Sequence, residues 1–153
     1  MQTIIKRAVI EDVDIIAPLF DAYRIFYAQQ TDIAAAVNFL TERLLKNESV
    51  IFVAFINEAA VGFTQLYPIF SSVSLSHTWL LNDLYVDKNA RQQGVAAALL
   101  HKATAFGVEK NAKWLLLETA ADNYTAQAVY EKNGWIKQTD FFYQFTLTAG
   151  DTA

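Results

Sequence analysis

Hydrophobic and polar positions change their spacing several times along the chain, and each spacing predicts one kind of secondary structure. Loosely alternating residues at 3–9 predict a first strand, and the unbroken apolar run at 49–56 predicts a strand that is buried on both faces. An Asn-Glu pair then predicts a turn into a strand at 60–67, so that these two strands form a hairpin. The serine-rich stretch at 68–76 predicts a loop.

Two stretches with helical spacing lie between the first two strands. Apolar residues from Val13 to Tyr23 recur on one stripe and predict a helix. Pro18 lies inside this pattern, so either the helix kinks there or its regular part starts near Ala17. Residues 32–46 carry leucine and valine at helical spacing and predict a second helix.

The second half of the chain has the pattern of a βαβ unit. A strand is predicted at 78–86, an amphipathic helix at 94–108 and another strand at 113–119. The two strands of such a unit are parallel, and their crossover is right-handed. A ligand site is therefore expected at their carboxyl ends, near residues 86–94 and 119–123.

A short helix at 124–132, stopped by an Asn-Gly pair, and final strands at 135–137 and 141–147 complete the pattern. The predicted order is β-α-α-β-β-β-α-β-α-β-β. This order predicts an α/β protein of the α+β sandwich type, with a mixed sheet of about seven strands flanked by about four helices. Residues 1–148 are expected to form a single domain, with residues 149–153 as a flexible tail.

Composition narrows the class of protein. A chain of 153 residues with 54% hydrophobic and 18% charged residues is expected to be one globular domain and not a disordered chain. The absence of cysteine excludes disulfides, zinc-thiolate sites and a cysteine nucleophile, and it is compatible with a reducing cytoplasm. No metal site is predicted.

Charge and hydropathy bear on partners and location. The net charge is -4, and the 12 lysines and arginines are scattered, which argues against a nucleic-acid partner and favours a cationic small molecule. Residues 1–7 lack the apolar core of a signal peptide, and no apolar run approaches the roughly 18 residues that span a bilayer. A soluble cytoplasmic protein without membrane contact is therefore expected.

The turn between the 78–86 strand and its helix is the first candidate for chemistry. Gly94 allows close approach of the backbone to a ligand, and small Ala96 keeps the start of the helix uncrowded. The unpaired N–H groups of a first helical turn suit a pyrophosphate, and Arg91 can add a charge-assisted contact. Taken alone, the same short string also fits an ordinary strand-to-helix turn.

Two motifs together carry a family resemblance. The first has the form Arg/Gln-x-x-Gly-x-Gly/Ala and is met by Arg91, Gly94 and Ala96. The second has the form Asn-x-x-Ala-x-x-x-Tyr-Glu-x-x-Gly-Phe/Trp and is met by Asn123, Ala126, Tyr130, Glu131, Gly134 and Trp135. At these residues the chain resembles the GNAT superfamily of acyl-CoA-dependent N-acetyltransferases, most specifically from Leu81 to Trp135. The predicted order of elements is also similar to the GNAT fold.

The resemblance implies acetyl-CoA (coenzyme A) as cofactor and assigns residues to it. Backbone groups of strand residues would pair with the pantetheine arm, N–H groups of the turn would hold the pyrophosphate, and Tyr130 would face the thioester sulfur. The N–H of Val86 would stabilise the developing oxyanion. The implied cofactor-binding residues are Leu84, Tyr85, Val86, Arg91, Gln92, Gln93, Gly94, Val95, Ala96, Asn123 and Tyr130. Asn123 could also be a helix N-cap, which is compatible with a cofactor contact.

Two carboxylates are candidates for the catalytic base. Strand alternation puts Asp83 and Tyr85 on one face and Asn82 on the other, and Glu118 lies in the neighbouring predicted strand. A carboxylate in an apolar strand is costly to bury without a partner, so a catalytic or substrate-orienting role competes with a structural salt bridge. With Tyr130 as the acid, the candidate catalytic residues are Tyr130, Asp83 and Glu118.

The acceptor is less defined. The strand at 81–86 resembles that of spermidine/spermine acetyltransferases, a polyamine-acetylating branch, but has Asn82 where they carry glutamate. By similarity to the fold, Tyr23, Tyr27 and Asp83 would contact the substrate, with packing as the competing explanation for the tyrosines. His77 could reach the acceptor pocket or be a surface loop residue.

Two classes of function follow from the resemblance. The first is an N-acetyltransferase that moves acetyl from acetyl-CoA to a primary amine of a small molecule or peptide by direct attack in a ternary complex. The second is a non-catalytic acyl-CoA-binding module. A doubly wound nucleotide binder is opposed by the hairpin and by the lack of a Gly-x-Gly-x-x-Gly string. Aromatic residues on both faces of the 141–147 strand favour a covered strand or a homodimer contact.

Overall fold

One mixed sheet with strands in sequence order forms the centre of the computed structural model, which describes residues 2–148. The strands are β1 (Thr3–Arg7), β2 (Val50–Ile56), β3 (Ala59–Ser71), β4 (Ser76–Val86) and β5 (Leu115–Leu116). The helices are α1 (Val13–Phe26), α2 (Ile33–Leu45), α3 (Val95–Glu109) and α4 (Tyr124–Lys132). Neighbouring strands are antiparallel except β4 and β5, which are parallel. The predicted tail at 149–153 lies outside the described residues.

Each face of the sheet carries a hydrophobic core. On one face, α3 packs Leu99, Leu100 and Phe106 against the sheet. On the other face, α1 and α2 contribute Ile16 and Leu40, among others. Strand β2 supplies side chains to both cores, and this confirms the prediction of a strand buried on both faces.

The βαβ unit is confirmed, but its second strand is short. β4, α3 and β5 follow one another, and the two strands are parallel. Pairing covers only Trp79 with Leu115 and Leu80 with Leu116, so β5 diverges from β4 after these pairs. The strand predicted at 113–119 is therefore mostly irregular, and the second half of β4 lacks a neighbour on that side among the described residues.

The β3–β4 hairpin is longer than its sequence predicts. The predicted loop at 68–76 is confined to a turn at 72–75, because strand pairing continues through Pro68 opposite Trp79 and Phe70 opposite His77. The Phe70 and His77 rings lie 5.1 Å apart. This cross-strand contact stabilises strand pairing in a stretch whose serines predict a loop.

Helix α1 continues through Pro18. It begins at Val13, so the proline lies in its second turn and removes one backbone N–H donor without ending the helix. Of the two predicted alternatives, a regular part that starts near Ala17 is therefore wrong. A short 3₁₀ turn precedes the helix, and the Asp12 carboxylate accepts a hydrogen bond from the Val9 N–H at 2.8 Å.

The end of the described chain differs most from the prediction. The strands predicted at 135–137 and 141–147 are absent, and residues 136–148 are exposed, so the described sheet has five strands where about seven were expected. A two-residue β5 presents too few backbone groups to align a further strand. Among the described helices, none combines the length and the hydropathy of a membrane span.

Candidate active site

A β-bulge in the middle of the β3–β4 hairpin places three polar side chains together. Gln65 lies opposite Asp83, but the next residue, Leu66, lies opposite Leu81, so Asn82 has no cross-strand partner of its own. A bulge of this kind redirects side chains and is common beside active sites. Alternation alone would put Asn82 and Asp83 on opposite faces, yet the Asn82 amide donates to the Asp83 carboxyl at 2.8 Å.

The Asp83 carboxyl is held by neutral groups. The residue is 2% exposed, and its Oδ2 accepts a hydrogen bond from Gln65 Nε2 at 2.5 Å. The Tyr23 hydroxyl donates to the main-chain carbonyl of Asn82 at 3.2 Å and also stabilises the charged form of the carboxyl. The ion pairs within residues 2–148 join Arg43 and Lys46 to Glu42 and Glu48, and none includes Asp83.

Burial dominates the proton affinity of this carboxyl. Desolvation raises the pKa of Asp83 above its ordinary value, while the hydrogen bonds from Gln65, Asn82 and Tyr23 act in the opposite direction. Desolvation and the nearby Asp83 charge also raise the pKa of Tyr23 and of Tyr67, so both phenols stay protonated. The cluster therefore contains one buried carboxyl whose pKa lies above its ordinary value, surrounded by hydrogen-bond donors.

A chain of tyrosines joins this carboxyl to α4. The Tyr23 ring lies 5.9 Å from Phe63 and 6.4 Å from Tyr85, and it contacts Tyr27 edge-on at 5.1 Å. Tyr27 in turn lies close enough to Tyr130 to raise the pKa of its phenol, although burial is the larger cause. The predicted acceptor residues Tyr23 and Tyr27 are thus brought together with Asp83 and Tyr130.

The turn before α3 has the backbone of an anion-binding loop. Gln92 and Gly94 adopt the left-handed region, with φ of 61° and 79°. Within residues 2–148, a Cβ at Gly94 would meet no atom within 4 Å, so the space beside it is open to a ligand. The N–H groups that follow belong to the first turn of a 15-residue helix and have no intrahelical partners, so they are available to an anion at this end of the helix.

Arg91 lies back over the end of β4. Its Nε donates to the Val86 carbonyl at 2.9 Å, and its guanidinium lies 5.9 Å from the centre of the Tyr85 ring. Arg91 therefore fixes the turn to the strand, and its remaining N–H donors stay exposed to solvent. Between Leu81 and Val86, β4 has no β5 partner within the described chain, which leaves an edge that an extended ligand can pair with.

Asn123 and Tyr130 lie on α4. The Asn123 side chain caps the helix, since its Oδ1 accepts the Ala126 N–H at 3.1 Å. Tyr130 lies in the last turn of the helix, half-buried, with its ring 6.4 Å from Trp135. The helix bounds agree with the predicted 124–132, and Gly134 in the left-handed region follows its end.

Two predicted site residues make no hydrogen bond to the Asp83 cluster within residues 2–148. His77 is exposed near the start of β4, six residues before Asp83, which is about 20 Å along a strand. Glu118 is exposed beyond the end of β5 and lines a trough of about 650 Å³ between α3, β5 and α4. Tyr130 and Trp135 line the same trough.

Gln65 and Tyr67 belong to the cluster but are missing from the predicted site. The signal for Gln65 in the sequence is an amide that lies between Phe63 and Tyr67 on one face of a mostly apolar strand. Asn82 is the third residue of the cluster that is missing from the predicted site. Its contact with Asp83 depends on a β-bulge, which no local sequence pattern predicts.

Comparison with known proteins identifies the family. Residues 16–135 match the Acetyltransferase (GNAT) family. The uncharacterized N-acetyltransferase YhfO of Bacillus subtilis (strain 168) is 44% identical over 139 residues, which are 91% of this chain and 93% of that protein. A crystal structure of a probable acetyltransferase has a TM-score of 0.87 and 41% identity, and the match covers 99% of this chain and 100% of that chain.

A more distant structure shares the fold alone. The aminoglycoside N-acetyltransferase AAC(6')-Iy in complex with CoA has a TM-score of 0.78 at 19% identity, and the match covers 95% of this chain and 96% of that chain.

The family match spans more than half of the chain, and the Bacillus relative covers nine-tenths of it. The chain therefore belongs to the GNAT family of acetyltransferases and is an acyltransferase enzyme.

Proposed function

We propose that this protein moves an acetyl group from acetyl-CoA to a primary amine of a small molecule or peptide, by direct attack within a ternary complex. The observation that carries the proposal is that the Tyr23–Tyr27 pair links a buried carboxyl, Asp83, to a half-buried phenol, Tyr130, beside the edge of β4 that is unpaired within residues 2–148. Residues 1–148 would act as a single catalytic domain.

The residues around the β4 edge fit acetyl-CoA. The left-handed turn at Gln92 and Gly94 and the first turn of α3 would hold the pyrophosphate. Backbone groups from Leu84 to Val86 would pair with the pantetheine arm, as the open strand edge allows. When bound, acetyl-CoA supplies an acetyl group activated as a thioester, so this chain needs no nucleophile of its own.

Asp83 would remove the proton that blocks the attacking amine. An alkyl amine with a pKa near 10.4 is about 3.4 units from its neutral form at pH 7, which corresponds to roughly 4.6 kcal/mol. A buried carboxyl with a raised pKa is a better base than an exposed one, and its negative charge, without an ion-pair partner within residues 2–148, attracts an ammonium group. The backbone N–H of Val86 would donate to the carbonyl oxygen as it gains charge.

Tyr130 would hydrogen-bond the departing sulfur. A phenol near pKa 10 is a weaker acid than a thiol near 8.5, so full proton transfer to the thiolate is uphill by about 2 kcal/mol. Burial raises the pKa of Tyr130 further and makes complete transfer still harder. The hydroxyl therefore stays protonated as a donor that lowers the charge on the sulfur.

Release of free thiol from acetyl-CoA over a panel of amines tests the proposal. We expect turnover with primary amines, and a Tyr130→Phe variant that binds coenzyme A in calorimetry with unchanged affinity but turns over more slowly. Coenzyme A binding without thiol release from any amine would instead identify a non-catalytic acyl-CoA-binding module. Full activity of Tyr130→Phe would remove the role given to its hydroxyl.

The cellular location of the protein and the class of its partner are also proposals. The absence of cysteine supports a cytoplasmic location, and the acidic net charge of -4 supports a cationic partner over nucleic acid or an anionic membrane surface. Fractionation of the source cells, followed by immunodetection of the protein, tests the location; recovery in the membrane fraction would contradict it.

A homodimer is supported by the exposed aromatic segment at 141–147. Four of its aromatic side chains are 82% to 96% exposed, namely Phe141, Phe142, Tyr143 and Phe145. At roughly 150–250 Å² for each ring they offer about 700 Å², close to the ~800 Å² that a standard interface buries on each partner. A second copy is the occupant that this self-complementary segment suits, because the edge strand β5 and its trough lie next to it.

Sedimentation of the full chain at micromolar concentration tests the homodimer. We expect a dimer that dissociates in a Phe141→Ser/Phe145→Ser variant. Val73→Ser is the matched control, because this valine is 98% exposed in the β3–β4 turn and lies outside the segment. A wild-type monomer, with the segment folded onto its own β5, would contradict the proposal.

A further inference from the structure

Gln65 is an unexpected residue in the core of the sheet. It is fully buried in the middle of β3, with 0% of its surface exposed. Its Nε2 donates to Asp83 Oδ2 at 2.5 Å, while its Oε1 has no hydrogen-bond partner within residues 2–148. A buried unsatisfied acceptor costs about 1–3 kcal/mol, so an apolar side chain here would favour folding. The amide is therefore better explained by its contact with Asp83 than by stability.

The strand register makes this contact specific. Gln65 and Asp83 are the last aligned pair before the bulge, and they are 18 residues apart along the chain. Asn82, the bulged residue, holds the other carboxyl oxygen at 2.8 Å. Two amides on two strands thus fix both oxygens of one carboxyl, and this leaves the carboxyl plane a single orientation.

We infer that Gln65 is a positioning residue that orients the Asp83 carboxyl toward the acceptor amine and sets the pH range in which it accepts a proton. This inference rests on the proposed function, in which Asp83 is the base. Gln65 touches neither the amine nor acetyl-CoA in this scheme, and it acts only through Asp83.

The sign of its effect follows from the hydrogen bond. An amide N–H stabilises the ionised carboxylate, so its loss raises the pKa of Asp83 beyond the value that burial already produces. The other groups facing this carboxyl are Tyr23 from α1, Tyr67 from β3 and Asn82 from β4, and Arg43 of α2 acts on Tyr67. The two phenols stay protonated over the range in which Asp83 titrates, so they do not account for a shift in it.

The test compares Gln65→Met with Thr64→Val. Methionine keeps the length of glutamine but removes the donor. Thr64 is the neighbouring residue, is equally buried, and donates to the main-chain carbonyl of Asp83 at 2.8 Å, so its loss affects the same residue without touching the carboxyl. Carbon-13 NMR of the full chain without ligand follows the Asp83 carboxyl, with Asp83→Asn identifying its signal.

We expect Gln65→Met to move the Asp83 titration upward by about one unit or more, and to move the acidic limb of the kcat/KM profile by the same amount. Thr64→Val should leave both unchanged. An unmoved titration in Gln65→Met, or a uniform loss of kcat/KM at every pH, would overturn the inference. If Gln65→Met does not fold, Gln65→Glu takes its place, because two adjacent carboxyls must share a proton and raise one titration further.

The two proposals fail differently. If wild-type protein releases no thiol with any amine while Gln65→Met still shifts the NMR titration, the proposed function is wrong. Gln65 would then set the titration of Asp83 without a role in catalysis. If wild type is active and the titration does not move, the inference about Gln65 is wrong and the proposed function stands.

Discussion

The turn before α3 and the polar cluster around Asp83 lie near the same end of β4, but they are built in different ways. The turn is exposed and uses backbone: two residues in the left-handed region and the N–H groups of one helix. The cluster is centred on a buried carboxyl and uses side chains from α1, β3 and β4. Backbone recognition tolerates many side chains, whereas a packed polar cluster tolerates few. Mutations should therefore act mildly on the turn and severely in the cluster.

The largest effect should come from Asp83→Asn. The amide keeps the shape of the carboxyl but cannot accept a proton, so kcat/KM should fall by about 10²–10⁴. Because Asp83 has a raised pKa, activity of the wild type should decline as the pH falls through that pKa, and this acidic limb should vanish in the variant. Steady-state thiol release over a pH series measures both.

Amines that are already neutral at pH 7 provide the control for this variant. An acceptor of low pKa needs no base, so it should lose much less rate than an alkyl amine in Asp83→Asn. An equal loss of rate for both acceptors would show that Asp83 binds the amine, or orders the residues around it, without removing a proton.

A smaller effect is expected from Gly94→Val in the turn. A β-branched residue at φ of 79° is strained by about 1–3 kcal/mol, which should raise KM for acetyl-CoA about tenfold and leave kcat near its original value. Gly94→Asn is the matched control, since asparagine adopts the left-handed region readily. A fall in kcat with unchanged KM would show that Gly94 affects the chemical step. The turn and the Asp83 cluster would then not differ in the way proposed.

The difference between the turn and the Asp83 cluster also explains which parts of the site can be predicted from the sequence. The turn and α4 depend on residues a few positions apart, such as Gly94 before α3 and Asn123 before α4, so local patterns predicted the helix bounds closely. Gln65 and Asp83 meet through a strand register that spans 18 residues, and Asn82 reaches the same carboxyl at the bulge that breaks this register. Alternation along one strand carries no information about that break, and it put Asn82 on the wrong face.

The segment at 141–147 illustrates a second limit. Its aromatic residues are typical of a strand, but a strand exists only when a neighbour pairs with it. The nearest described edge, β5, has two residues in the sheet. The pattern therefore identified a segment that suits pairing, without identifying what it pairs with.

Asn123→Ala should have a modest effect that separates folding from binding. Loss of the cap that accepts the Ala126 N–H should cost about 1 kcal/mol and lower Tm by roughly 2–4 °C. Asn123→Asp keeps the cap, so it should restore Tm. If Asn123 also contacts acetyl-CoA, Asn123→Asp should still raise KM for it. Restoration of both Tm and KM by aspartate would limit Asn123 to capping, and differential scanning calorimetry with kinetics distinguishes the two.

The smallest effect is expected from Glu118→Gln. This carboxylate is exposed beyond β5, where water and salt screen its charge, and no shared hydrogen bond links it to the Asp83 cluster within the described residues. Removing the charge should change kcat/KM by less than about twofold and leave the acidic limb in place. A loss comparable to that of Asp83→Asn, measured in the same thiol-release assay, would move the base to the exposed trough. The Asp83 cluster would then bind the amine without removing its proton.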